Sequence, residues 1–267
     1  RYWRDWSSDV CSSDLSVRSA SAAGATLTTA LLTEANVESL SLTLANATGM
    51  SLIRATGAGL DLTGADLTGG SLLSATLSGL VAVGTNLTRV DMTRAVLAGA
   101  NFTEANLTEA FGENLDARDA RFVSANLERA NLTTFFATAA DFSNANLASA
   151  TLSSANLSGG TLNGAIVSGA NLSSANLRNT RAIGANFNLL QGSGAIFANA
   201  DLSGAIITQA TLTAANFQGA NLSNADLSGS LVFPGANITG VIWANTICPD
   251  GTNSDANSGT CAGHLTP

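Results

Sequence analysis

From Ala25 to Val232 one five-residue register holds, with a large apolar residue at most of the fifth positions and, two residues before it, most often Ala. The stretch from Asp141 to Leu177 reads in fives as DFSNA NLASA TLSSA NLSGG TLNGA IVSGA NLSSA NL. Asn, Asp, Ser or Thr sits between the two apolar residues, and Ser, Thr or Gly follows them. An α-helix cannot use this spacing. Five steps of about 100° advance roughly 140°, so the leucines would wander over every face. Extended chain can: Ala points in, Asn out, Leu in. Alternation then stops for two small or polar residues, which predicts a short strand followed by a corner. No unit of five residues buries its own apolar side, so the repeats must stack on one another as a solenoid.

The size of one coil follows from identical residues at a longer period. Phe102, Phe122 and Phe142 lie twenty residues apart, as do Phe197 and Phe217, and Thr28, Thr48, Thr68, Thr88 and Thr108. Four five-residue sides per coil bring each set into one column. About ten coils at roughly 4.8 Å each predict a rod on the order of 50 Å long. Several fives exchange large for small: Leu80 precedes Ala82, Leu115 precedes Ala117, Phe135 precedes Ala137 and Leu190 precedes Gly192. Each exchange keeps the core volume constant, since a void or an overpacked site costs about 1–3 kcal/mol.

Fives of the Ala-Asn-Leu-Ser-Gly type, sustained over roughly nine-tenths of the chain, resemble the pentapeptide-repeat family. The resemblance implies an all-β, right-handed quadrilateral parallel β-helix. It implies no single activity, because fold does not fix function. Some members resembling this chain are DNA-mimicking inhibitors of a type II topoisomerase (gyrase), and that is the alternative to a rigid scaffold or a protein- or glycan-binding surface.

The ends depart from the pattern. Residues 1–15 (RYWRDWSSDVCSSDL) resemble translated sequencing-adapter sequence and are set aside, although a true cap containing Trp3 and Trp6 is the other reading. The solenoid is expected over 16–247, with one residue inserted at Phe233-Pro234-Gly235 before the pattern resumes at Ala236 and Val241. Residues 248–267 are expected to cap the open end, which would otherwise present unpaired strand groups and apolar side chains. Trp243 is expected either to serve as a lid or to make a homodimer contact through the C-terminal end. Cys248 and Cys261 flank a twelve-residue polar loop, and a disulfide is the simplest account of them. It favours an extracellular or periplasmic location, with a cytoplasmic one as the alternative.

Candidate chemistry is sparse. The chain has 267 residues, a formal charge of −8, one His and no Lys. With a single His near the terminus, a Ser-His-Asp site has no basis, no phosphate-binding loop is visible, and no cofactor is expected. Asp250, Asn253, Asp255 and Asn257 have loosely the spacing of a calcium loop, but the sixth position is not Gly and no terminal Glu closes the site. No apolar run approaches the ~20 residues of a membrane span. The least regular stretch, Ala110–Asp119, supplies a candidate interaction patch of Glu104, Glu109, Glu113, Asp116 and Asp119, with Arg118, Arg121 and Arg129 nearby. Its plainer reading is a solvated face with weak ion pairs. A column of Asn46, Asp66, Asn86, Asn106, Asn126 and Asn146 beside the threonines reads as a stabilising ladder, or as a flat surface ordering water or ice. Direct nucleic-acid binding is not expected from an acidic surface.

Overall fold

The computed structural model describes residues 15–232 and 234–267. The segment set aside at the N-terminus lies, except for Leu15, outside the described residues, and so does Phe233. Each outward residue pairs in parallel with the residue twenty positions on, from Ser16↔Asn36 to Thr211↔Leu231 without a slip. The chain is therefore the expected right-handed, four-sided β-helix. The parallel ladder runs from Ser16 to Ile247.

Its four faces are best named by their outward residues. The first carries Ser41, Asp61 and Val81; the second Asn46, Asp66 and Asn86; the third Ser51, Ser71 and Asp91; the fourth Thr56, Thr76 and Val96. One five shows how the backbone is satisfied. Leu52 N–H donates to the Ser71 carbonyl of the next coil (2.7 Å), and Ser51 N–H donates to Ala30 of the previous one (2.9 Å). Arg54 N–H donates to Leu73 (2.9 Å), while Ala55 N–H closes the corner on Leu52 (3.0 Å). That turn needs positive φ at its third residue. Gly fills many of these corners, but so do Arg54 (φ 55°), Leu44 (φ 57°) and Glu104 (φ 59°). Between the two neighbouring coils the corner is held so firmly that ordinary side chains accept the left-handed geometry.

One N–H per five, the residue after the inward Leu, finds no backbone acceptor in this scheme. The outward Asn or Asp supplies one: Asp61 Oδ1 accepts from Thr63 N–H (2.9 Å), and Asn171 Oδ1 from Ser173 N–H (3.0 Å). This is why Asn and Asp dominate the outward site, since a side-chain turn bond replaces a missing ladder bond.

The core is a set of columns. Phe122 stacks between Phe102 and Phe142 with ring centroids 4.9 and 4.8 Å apart, and Phe135 meets Phe122 and Phe142 edge-on. Phe197 and Phe217 stack likewise at 5.0 Å. The exchanged pairs behave as core-volume exchange requires. Phe135 and Ala137 are both buried, and a Cβ at Gly192 would lie 3.2 Å from Leu190 Cδ2, because that leucine occupies the space. At Gly112 the space is taken instead by Leu132 of the next coil (2.9 Å) and by Leu115 of the following side (3.3 Å). Gly57 (φ +142°) is set by close approach: a Cβ there would stand 2.4 Å from the Glu38 backbone nitrogen.

At the C-terminal end the inserted residue lengthens one coil to the pairing Asn216↔Asn237. Trp243 occupies an inward site and is buried, so it fills the last coil and offers no exposed ring to a second copy. Over it folds the tail. Cys248 and Cys261 form a disulfide, Asn253 pairs antiparallel with Ile247, and a single 3-10 turn spans Ser254–Asn257. Ser254 Oγ donates to the Trp243 carbonyl, and Leu265 packs on the core while accepting from Val232 N–H (3.3 Å).

Candidate functional site: a charged girdle with two exposed rings

The five acids of the candidate patch do not share a face. Residues 101–120 make one coil, so Glu104 and Glu109 stand at two successive corners. Glu113 belongs to the third side, Asp116 to the fourth, and Asp119 to the corner that closes the coil. They form a girdle around the rod. Glu109 pairs with Arg129 of the next coil at 3.0 Å. Asp116 receives two bonds from the Arg118 guanidinium, at 2.8 and 2.7 Å, and these hold its carboxyl below the usual range.

Within the girdle, Glu113 and Asp116 flank one corner, and there the structure adds two groups. Phe111, on the third face, is 49% exposed, and Phe136, on the fourth face one coil later, is 47% exposed. Phe136 stacks directly beyond Asp116, and along the corner between the two faces Thr134 Oγ1 donates to Asn114 Oδ1 of the previous coil (2.8 Å). Phe136 is visible in the sequence as an outward residue. Phe111 was missed, although the period places it outward beside the irregular Gly112. Two half-exposed rings thus flank one corner, with Glu113, Asp116 and Arg118 close by in the same coil.

The Asn/Thr column of the second face is internally satisfied. Asn146 Nδ2 donates to Asn126 Oδ1 (3.0 Å), Asn126 to Thr108 (2.9 Å), Thr108 to Asn106 (2.6 Å) and Asn106 to Thr88 (3.0 Å). Thr88 then donates to Asn86 (2.7 Å), Asn86 to Thr68 (2.9 Å) and Thr68 to Asp66 Oδ1 (2.6 Å). The chain of donors runs one way and ends on a carboxylate, which can only accept. Thr68, Thr88 and Thr108 spend their one hydroxyl proton within this chain and can only accept from water.

The side chains of the loop with calcium-like spacing are likewise engaged in hydrogen bonds within the C-terminal end. Asp250 Oδ1 accepts from Thr252 N–H and hydroxyl (2.9 and 2.6 Å), and Asn253 caps the 3-10 turn. Asp255 Oδ1 accepts from Asn245 N–H (2.9 Å), and Asn257 donates to Thr252 (2.6 Å). Among the described residues no group of three or more His, Cys, Asp or Glu side chains is arranged to hold a metal. His264 Nδ1 lies 2.5 Å from Asp250 Oδ2 and so ties the end of the tail to the start of the loop. The Thr252 bonds, with His264 contributing less, lower the Asp250 carboxyl to about 2.

A family model described as pentapeptide repeats matches the chain in eight copies, over residues 71–108, 95–133, 137–169, 152–189, 170–209 and 195–242. No curated protein matches significantly. Among solved structures, the chain is similar to HetL, a pentapeptide repeat protein involved in heterocyst differentiation regulation in the cyanobacterium Nostoc. The two are 29% identical over 90% of this chain and 91% of that one, with a TM-score of 0.30. A pentapeptide repeat protein of the Arabidopsis thaliana thylakoid lumen is 26% identical over 42% and 74%, with a TM-score of 0.31. QnrB1, a plasmid-mediated fluoroquinolone resistance protein, is 21% identical over 83% and 92%, with a TM-score of 0.33.

Proposed function

This chain belongs to the pentapeptide-repeat family, and we propose that it is a non-catalytic binding rod that engages a protein partner at the girdle around Phe111 and Phe136. The observation that carries this reading is the pair of half-exposed rings about one corner, the two exposed aromatic side chains among the described residues. Burying a Phe side chain contributes about 1.5–3 kcal/mol, so two rings would anchor a modest interface. Glu113, Asp116 and Arg118 at the edge would select the partner by charge more than add affinity. Rigidity suits the role, because a ladder-bonded rod loses little further freedom on binding. The Cys248–Cys261 disulfide supports an extracellular or periplasmic setting. No helix among the described residues is long and apolar enough to cross a membrane.

The DNA-mimic alternative draws on the acidic balance alone. B-DNA carries one charge per about 1.7 Å, or roughly 30 over a 50 Å rod. Without the segment set aside, about 16 acids stand against about 9 arginines, leaving about −7. Nor are the acids continuous: on the first face Arg121 stacks beside Asp141 and Arg181 beside Asp201, so the sign alternates along the column.

A photo-crosslinking residue at position 111 or 136, compared with one at Asn171 on the third face, tests the reading in extracts of the source organism. The expected result is one discrete adduct from 111 and 136 and none from 171. Equal labelling at all three positions, or none at 111 and 136, would remove the girdle as the binding site.

A further inference from the structure

On the second face the Asn/Asp column is unbroken through Asn146 and then changes character. Ile166, Ile206 and Ile247 replace it on alternate coils, with Asn186 and Asp226 between them. All three isoleucines are exposed, at 44%, 45% and 37%. Each gives up the side-chain bond that the outward Asn or Asp makes to the turn. No bond from position 166 to Ser168 N–H exists, whereas Asn146 Oδ1 holds Ala148 N–H at 3.0 Å. A β-branched residue suits extended chain. That alone does not account for three replacements, spaced two coils apart on one face, each forgoing a turn bond.

The apolar/polar alternation in Ile-Asn-Ile-Asp-Ile is symmetric about Ile206. We propose that this face joins two copies of the chain side by side and antiparallel, about a two-fold axis through Ile206. A two-fold contact requires a self-complementary surface, in which residue i meets j and j meets i. Here the axis sets Ile206 against its own copy and Ile166 against Ile247 of the other chain. Asn186 of one chain then faces Asp226 of the other, twice. The hydrogen bonds left open fit that pairing. Asn186 Oδ1 is taken by Asn188 N–H (3.0 Å), while its Nδ2 has no partner among the described residues. Asp226 Oδ1 is taken by Ser228 N–H (2.9 Å), while its Oδ2 has none. In the N-terminal half of the same face, by contrast, Asn86, Asn106, Asn126 and Asn146 all spend their amide donors on the neighbouring coil. A spare donor one coil before the axis and a spare acceptor one coil after it are the groups an antiparallel second copy would join.

Rungs of about 4.8 Å place the outer isoleucines roughly 19 Å apart. Such a strip buries a few hundred Å² per partner, less than the ~800 Å² of a stable interface, so association in the range of tens to hundreds of micromolar is expected, roughly. The contact differs from an end-to-end one through Trp243, whose ring is buried.

Sedimentation equilibrium of the full chain at increasing concentration tests the proposal. It should show a monomer–dimer equilibrium that Ile206→Asp weakens by at least about tenfold, because two like charges then meet on the axis. Asn186→Asp should weaken it too, by opposing Asp226, and the double variant Asn186→Asp/Asp226→Asn should restore it. As a check that needs no charge change, Ile206→Cys should form a dimer bond under mild oxidation, whereas Asn126→Cys on the same face should not. A chain that stays monomeric throughout, a dimer indifferent to Ile206→Asp, or open-ended assembly would each overturn the proposal.

Discussion

Phe122 is the side chain on which the four-sided geometry bears most heavily. It is fully buried and held between Phe102 and Phe142 with interplanar angles of 8° and 1°, while Phe135 meets its edge at 6.1 Å. Phe122→Ala removes the transfer free energy of a buried ring and leaves a void that the rigid ladder cannot close, a loss of about 3–5 kcal/mol. Two stacked contacts and one edge contact disappear with it, each worth about 0.5–1.5 kcal/mol beyond area. The expected cost therefore sits at the upper end, near 5 kcal/mol. Urea denaturation followed by circular dichroism reads it directly, with Phe136→Ala as the control. Phe136 is half exposed, so its loss should stay within about 0.5 kcal/mol. A double-mutant cycle of Phe102→Ala with Phe122→Ala should give a coupling of about 0.5–1.5 kcal/mol. If Phe122→Ala costs no more than Phe136→Ala, or the two stacked sites are additive, the column does not exist as described.

Opening the Cys248–Cys261 disulfide should loosen the tail over Trp243 and cost roughly 3 kcal/mol in the chain-entropy view; non-reducing mass spectrometry checks the bond, and amide exchange at Thr246 and Cys248 checks the loosening. Asn106→Asp should cost about 1 kcal/mol or more, because the carboxylate cannot donate to Thr88, whereas Asp66→Asn at the accepting end of the same chain should be nearly neutral; thermal denaturation separates them. Asp250 has a folded-state value near 2, below its ordinary 3.8, so its contribution is present above about pH 4 and is lost as pH falls through about 2. Carbon-detected titration by NMR should show that midpoint, and Thr252→Ala should move it upward.

The fold was legible because one residue in five must be large and inward, and because Phe102, Phe122 and Phe142 recur at the length of a coil. The exchanges such as Leu190 with Gly192 could be read as conserved volume for the same reason. What the chain order concealed is what depends on its closing into four sides. Glu104, Glu109, Glu113, Asp116 and Asp119 are neighbours in sequence, yet a coil of twenty residues distributes them around the rod. Phe111 and Phe136 are twenty-five residues apart and become neighbours across a corner by the same rule. The work of the outward Asn was also hidden, since it depends on the N–H at 5n+3 (Thr63, Ser173) being left out of the ladder. Positive φ at Leu44 and Arg54 could not be anticipated from residue type, because the coils on either side impose it.

The claim that this rod binds through local contacts and does not act as a DNA mimic is tested most directly by a supercoiling assay with a bacterial type II topoisomerase. Sparse acids interrupted by Arg121 and Arg181 give little long-range attraction to a basic DNA-binding groove. The account predicts undiminished supercoiling at micromolar concentrations of the purified full chain. Potent inhibition at submicromolar concentration would contradict it, and would mean that the shape of the rod suffices without the charge.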